Sequence, residues 1–149
     1  MAIHILETVT RLNRPLSEVF DFFSRAENLN KLTPPELEFK IMTPLPINMQ
    51  KGAQIDYKIK LSGIPFKWRT RITAYEPPYR FVDEQESGPY RIWHHEHRFE
   101  DKGDHVLMTD RVQFLSPGWF LEPIINKWFI EPRVKAIFEY RTQQLKTLF

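Results

Sequence analysis

The sequence predicts an α+β fold in which a long antiparallel sheet wraps a C-terminal helix around a ligand-sized interior. Three observations carry this expectation. Apolar residues recur with a period of two from about residue 36 to residue 115, short turn signals cut that stretch into hairpin-sized pieces, and both ends of the chain return to helical spacing. A length of 149 residues fits one domain over 1–149 and is enough to bury a core.

Taken in order, Ile3 to Leu12 alternates and is rich in β-branched residues, so it reads as a strand. Pro15 suits the first turn of a helix, and Leu16, Val19, Phe20 and Phe23 follow with helical spacing. A second short helix over Glu27 to Leu32 must stop before Pro34-Pro35. Strands are then expected at 36–43, 53–61, 66–75, 80–86, 90–100 and 105–115, which with the first makes about seven. The connections at Ser62 to Pro65, Glu76 to Tyr79, Ser87 to Pro89 and Asp101 to Asp104 are short enough for hairpins. The last thirty residues are helical, with Leu121, Ile124, Ile125, Trp128, Ile137, Phe138, Leu145 and Leu148 on the apolar positions. Pro132 lacks a backbone donor and clashes one turn back, so a kink or break is expected there.

The hairpins predict a register. Closing the last one at Asp101 to Asp104 sets Phe99 opposite Val106, His97 opposite Met108, His95 opposite Asp110 and Trp93 opposite Val112. Closing the turn at Glu76 to Tyr79 sets Ala74 opposite Phe81, Ile72 opposite Asp83 and Thr70 opposite Gln85, and closing Ser62 to Pro65 sets Ile59 opposite Trp68 and Tyr57 opposite Thr70. The other face then pairs Arg71 with Glu84 and Arg69 with Glu86, beside Lys58 and Lys60, as a solvated face should. One face is wet and the other is covered.

Composition excludes several classes of function. The 21 basic and 19 acidic residues leave a formal net charge of +2, too little for the basic stripe that nucleic-acid binding needs. There is no cysteine, which removes disulfides, thiol catalysis and thiolate metal sites. Met1 to Glu7 lacks a basic region followed by an apolar run, and no segment approaches the ~20 apolar residues of a membrane span, so a cytoplasmic protein without an integral membrane segment is expected. The five glycines form no phosphate cradle, and no serine sits in a nucleophile elbow. Twelve Phe, five Tyr and four Trp suit both a core and the walls of a pocket for flat or greasy molecules.

A strand, two short helices, a meander of strands and a long C-terminal helix resemble the START-like, or SRPBCC, superfamily, in particular its polyketide-cyclase/dehydrase-like bacterial members. The runs that carry the resemblance are Leu32-Thr33-Pro34-Pro35, Trp68 to Ile72, Glu76 to Gln85, Gly88-Pro89-Tyr90, Trp93 to Phe99 and Thr109 to Val112. The resemblance implies a helix-grip fold and a chassis for hydrophobic ligands, used across the superfamily for lipid transfer, hormone reception and aromatase/cyclase chemistry. It implies no cofactor.

The covered face should carry Ile55, Tyr57, Ile59, Trp68, Thr70, Ile72, Phe81, Trp93, Phe99, Val106, Met108, Val112 and Phe114, with Asp83, Gln85, His95, His97 and Asp110 among them. Tyr57, Trp68, Thr70, Phe81, Asp83, Gln85, Trp93, His95, His97, Met108, Asp110 and Trp128 are the expected ligand-binding residues, in a pocket of roughly 300 Å3 or more. Buried carboxylates and imidazoles must find partners, water or ligand. His95 with Asp110 reads either as a buried structural polar couple, or as part of a cluster that orients a ligand's polar end, or as an acid/base couple, for which Asp83 is the alternative partner. His94-His95-Glu96-His97 superficially suggests a metal motif, yet alternation leaves only His95 and His97 on one face, with Asp110 for a third ligand, and no metal is expected. The apolar run from Trp119 to Ile130 reads as a helix start buried at the sheet rim or as a contact for a second copy or a membrane. Three functions follow: binding of a small hydrophobic or amphipathic molecule such as a lipid, an enzyme of cyclase, aromatase or dehydratase type, and an interaction module working through residues 119–130.

Overall fold

The computed structural model describes residues 3–149; Met1 and Ala2, part of the segment read for a leader, lie outside the described residues. β1 (His4–Leu12) is followed by α1 (Leu16–Phe23), a 3-10 turn at Ala26–Asn28 and α2 (Leu29–Leu32). Pro15 stands just before α1 in an extended conformation, and its carbonyl accepts bonds from the Glu18 and Val19 N–H groups. Val19, Phe20 and Phe23 form the buried stripe of that helix. Then come β2 (Lys40–Ile41), β3 (Gln54–Leu61), β4 (Ile64–Glu76), β5 (Arg80–Ser87), β6 (Ile92–Asp101) and β7 (Val106–Leu115). They form one antiparallel sheet in the order β1-β7-β6-β5-β4-β3-β2, a meander whose last strand pairs back with the first.

The strand expected at 36–43 shrinks to Lys40 and Ile41. Pro35 starts a 3-10 turn over Pro35–Leu37, and Glu38 takes a left-handed φ of 46°, so the chain reaches the sheet two residues before Met42 and leaves it again ahead of the proline-rich 44–46. Two hairpins close more tightly or more loosely than expected. Ser62 and Gly63, at φ 52° and 78°, form a two-residue turn, which pairs Tyr57 with Trp68 and Ile59 with Phe66 rather than Thr70 and Trp68. The last hairpin turns over Lys102 to His105, so Phe99 faces Met108, His97 faces Asp110, His95 faces Val112 and Trp93 faces Phe114. At the third hairpin an irregularity between Ile72 and Ala74 moves Ala74 opposite Val82, while Ile72 with Asp83 and Thr70 with Gln85 stand as expected.

Each displaced pair in the first two hairpins is off by two residues, and a shift of two keeps every side chain on its face. Tyr57, Trp68, Phe81, Trp93, His95, Phe99 and Asp110 therefore all face the concave side. The convex face carries ion pairs, and Arg71 stands opposite Glu84 as expected, although the ion pairs themselves form with other carboxylates. A second irregularity sets Arg69 opposite Ser87, so Arg69 bonds Asp56 (2.8 Å) across β3 and Arg71 reaches diagonally to Glu86 (3.0 Å).

Beyond β7, a 3-10 turn at Trp119–Leu121, α3 (Glu122–Ile125), a π-helical turn at Asn126–Ile130 and α4 (Glu131–Leu148) follow without a gap. Pro132 does not break the helix. It is the second residue of α4, and the wide π turn in front of it takes up the disturbance of the hydrogen-bond ladder. Val134, Phe138, Arg141 and Leu145 form the buried stripe of α4 at spacings of a helix face. Leu145 packs with Val19, Phe20 and Phe23 of α1 over Phe81, Phe99 and Met108 of the sheet. Val134 and Phe138 pack on Val112 and Phe114.

Leu145 is fully buried between α4, α1 and the sheet. Leu145→Ala should cost about 2–5 kcal/mol in urea denaturation. A loss below about 1 kcal/mol would mean that α4 is not clamped at this end.

Candidate functional site

A cavity of about 140 Å3 lies between the concave face and α4. It is less than half the expected size because aromatic rings fill the space they were expected to line. Tyr57 stacks on Trp68 (ring centroids 5.7 Å apart), Trp68 meets Tyr90 (5.5 Å), and Tyr90 meets Trp93 (4.9 Å). Of the expected ligand-binding residues, Tyr57, Trp68, Thr70, Phe81, Asp83, Trp93, His95 and His97 line the cavity.

Four do not. Gln85 is turned away, its carboxamide donating to the Tyr90 carbonyl (2.5 Å) and accepting from the Tyr90 N–H (2.9 Å). Gly88 makes room for it, since a Cβ there would meet the Gln85 Oε1 at 2.6 Å. Met108 is fully buried in the packing beneath α1. Asp110 sits behind the two histidines, bonded to Arg141 of α4. Trp128 lies on the outside of the molecule, 66% exposed, because the π turn faces it away from the sheet. Conversely, Arg141, Phe138 and Ile137 of α4, Tyr90, and residues of the 23–49 region including Ala26, Leu37 and Met49 line the cavity without having been expected. Arg141 was detectable, because it occupies the apolar stripe of α4 between Phe138 and Leu145.

The cavity has two ends of different chemistry. Its apolar end is made by α2, Leu37, Ile55, Leu61 and the aromatic wall. There the Tyr57 and Thr70 hydroxyls bond each other at 3.2 Å, and burial pushes the Tyr57 phenol far up. The Trp68 indole Nε1 is buried with no hydrogen-bond partner among the described residues.

The polar end is a continuous network. Asp110 Oδ1 accepts from His95 Nε2 (2.8 Å) and lies 3.4 Å from His97 Nδ1, while Arg141 donates to both Asp110 oxygens at 3.0 and 3.2 Å. Asp83 Oδ2 bonds His97 Nε2 at 2.5 Å and lies 3.7 Å from His95 Nδ1. The imidazoles stack on each other with centroids 3.7 Å apart, and Phe81 stacks on His97 at 4.0 Å.

Burial pulls the His97 imidazole down, but its bonds to Asp110 and Asp83 outweigh that and leave it raised. Burial and then the neighbouring His97 charge lower His95, against the pull of the carboxylates. Burial pushes both carboxyls up, yet His95, His97 and Arg141 bring Asp83 below the ordinary range, and Arg141 with the histidines brings Asp110 well below it. Of the two rings, His97 is thus the one that holds a second proton more readily, and Arg141 is the permanent cation facing the two carboxylates. Asp83, His95 and His97 also bring one ligand atom each to within 4.8 Å of one another. Asp110, expected as third in that set, is instead bonded to the far nitrogen of His95 and to Arg141.

A curved seven-stranded antiparallel sheet gripping a C-terminal helix over a cavity is the START-like, helix-grip fold. The chain superposes on the Zhui aromatase/cyclase from Streptomyces sp. R1128 with a TM-score of 0.76, at 13% identity over 97% of this chain and 92% of that one. A START superfamily protein from Mycobacterium smegmatis matches with a TM-score of 0.66 at 11% identity over 98% and 99% of the two chains. Ginseng major latex-like protein 151 from Panax ginseng matches with a TM-score of 0.69 at 10% identity over 97% and 96%. Within that fold, residues 12–149 match the family described as a domain of unknown function, DUF8410, and the chain belongs to it. No curated protein matches the sequence.

Arg141 is the direct counter-ion of a carboxylate that is 2% exposed. Arg141→Met should therefore cost about 3–5 kcal/mol, the penalty for stranding a buried charge, read by denaturant titration. The pH dependence has a definite sign. A carboxyl depressed in the fold contributes fully above its unfolded value of about 3.9, and the contribution is lost as pH falls through the lower folded value. Wild type should lose stability more steeply than Asp110→Asn as pH is lowered below about 4. Parallel acid curves would mean that Asp110 is not ionised in the fold.

Proposed function

We propose that the protein binds a small amphipathic molecule, its apolar body against the aromatic wall and its polar end at Asp83, His95 and His97. The observation that supports this best is the segregation of the cavity into one apolar and one ionisable end, the usual design of a pocket that orients its ligand. Size narrows the ligand. An engineered cavity of about 150 Å3 in another protein takes up one benzene ring, so the 140 Å3 here suits a single ring or a short chain. A fused-ring or long-chain ligand requires the walls to move. One buried ring is worth about 3 kcal/mol and one hydrogen bond to a charged group about 1.5–3 kcal/mol, so the two ends contribute comparably. The START-like neighbours, an aromatase/cyclase among them, agree with a cavity-based function.

Ala26 lines the cavity and is 2% exposed. Ala26→Leu should fill part of the space and weaken binding of a fluorescent apolar probe by about tenfold or more, with little change in melting temperature. Unchanged probe affinity would place the probe elsewhere. His95→Gln then separates carrier from enzyme. A carrier loses one hydrogen bond, about 0.5–1.5 kcal/mol of affinity, whereas a cyclase, aromatase or dehydratase loses about 100-fold or more in turnover with binding kept.

A second reading concerns residues 119–130, where the usual arrangement is reversed. Glu122 and Asn126 are buried, while Trp119, Phe120, Ile124, Trp128 and Phe129 are each 59–73% exposed. Among the described residues no helix is long and apolar enough to cross a membrane. The aromatic face, with Lys127 beside Trp128, suits shallow insertion into an anionic membrane surface from which an amphipathic ligand is collected. Co-sedimentation with phosphatidylglycerol vesicles should fall at least tenfold in Trp128→Glu. A monomer–dimer shift in size-exclusion chromatography, abolished by the same change and without vesicle binding, would assign the face to a second copy.

A further inference from the structure

The polar end of the cavity brings together three atoms, each of which can offer a metal ion a lone pair on the cavity side once the proton shared by His97 and Asp83 is released. Asp110 Oδ1 accepts from His95 Nε2, which leaves His95 Nδ1 with its lone pair inward, while His97 Nδ1 stands 3.4 Å from the same oxygen and 3.5 Å from Arg141 Nη2 and its Nε2 points inward. Both inward nitrogens face Asp83 Oδ2, at 3.7 and 2.5 Å. A proton between His97 and Asp83 satisfies two of the three atoms. His95 Nδ1 has no hydrogen-bond partner among the described residues, although the residue is only 6% exposed.

We propose that Asp83 Oδ2, His95 Nδ1 and His97 Nε2 bind one divalent transition-metal ion of the zinc or iron(II) class. Two imidazoles and a carboxylate on one side, with the remaining positions open, are the donor set such ions take. The three donor atoms lie within 4.8 Å of one another, and bonds of about 2.0–2.2 Å bring them onto one ion with small side-chain rotations. The surroundings of the ligands supply an independent observation. Metal-binding histidines are held by a hydrogen bond from the other ring nitrogen to a carboxylate, and here one Asp110 oxygen faces the far nitrogen of both rings. Arg141 in turn fixes Asp110 through both oxygens. With neutral imidazoles, Asp83, Asp110 and Arg141 leave one negative charge, which favours a dication. The open positions face the cavity, so an oxygen at the polar end of a bound molecule completes the coordination. That last point rests on the ligand-binding reading; the metal site itself does not.

The test uses the full chain, stripped with a chelator and titrated with Co2+ and then Zn2+ by calorimetry and visible absorption. One equivalent of Co2+ should bind with d–d bands in the visible, and Zn2+ should displace it. Asp83→Asn and His95→Gln should weaken binding at least tenfold, and Asp110→Asn should weaken it by about 10–100-fold through loss of ligand orientation. Should a variant fail to fold, paramagnetic shifts of the His95 and His97 ring protons in Co2+-loaded wild type decide the matter alone. Absence of stoichiometric binding by wild type, or binding unchanged in Asp83→Asn, overturns the site. Apolar-probe binding to the stripped protein keeps the two readings apart. Probe binding without metal binding overturns the metal site and leaves the cavity reading standing, and metal binding without probe binding does the reverse.

Discussion

A carboxylate buried as deeply as Asp110 cannot remain charged without a cation in contact, since withdrawing one ion from water costs several kcal/mol even after relaxation. Arg141 supplies that cation from α4, thirty-one residues further along the chain. The guanidinium lies 5.2 Å from the Phe23 ring centroid and 6.0 Å from that of Phe138, so its planar group is held by aromatic faces as well as by the carboxylate. This pair ties the helix to the sheet at the middle of the grip. Everything else at the polar end hangs from it. Asp110 orients His95 and His97, and the histidines in turn hold Asp83 at the cavity wall. The apolar packing of α4 sets its height above the sheet, and the ion pair sets its rotation.

Much of this was legible in the sequence, and the parts that were not share a cause. Alternation along 54–115 fixed which side chains face inward, because a face depends only on parity. Opposite neighbours depend on the turn, where a two-residue turn at Ser62-Gly63 and a four-residue one at Lys102 to His105 each moved the pairing by two. His95 and Asp110 thus proved to be diagonal neighbours that bond, while His97 is the direct one. Arg141 escaped because reading a helix by its apolar residues skips a cation on the apolar stripe, although that position is where a buried counter-ion must sit. The 36–43 segment failed as a strand for local reasons, since alternation continues there but the flanking prolines leave room for only two ladder residues.

The cavity and the outer surface divide the aromatic residues between them. Tyr57, Trp68, Tyr90 and Trp93 stack into a wall that leaves little empty space. Trp119, Phe120, Trp128 and Phe129 stay in solvent although the fold has apolar interior to offer. Burying Glu122 in their place is tolerable because His4 Nε2 bonds it at 2.8 Å and Ser116 approaches at 3.4 Å. A chain that buries a glutamate and exposes two tryptophans in one short helical segment has given up hydrophobic stabilisation there, of about 1.5–3 kcal/mol for each large side chain.

The π turn at Asn126–Ile130 explains how that exchange is built. A π turn holds one residue more than an α turn, and one residue is about 100° of rotation around a helix axis. Counted back from Val134 at 3.6 residues per turn, the sheet-facing positions of an unbroken α-helix fall near 130, 127 and 123; with one extra residue they fall near 130, 126 and 122, where Asn126 and Glu122 are buried. A single inserted residue therefore acts as a phase shifter between two rigid rods. Wound as a plain α-helix without the wide turn, the same residues would bring Lys127 and Pro123 to the sheet and carry Glu122 about 100° away from it, so the burial of a glutamate in this segment depends on a single wide turn.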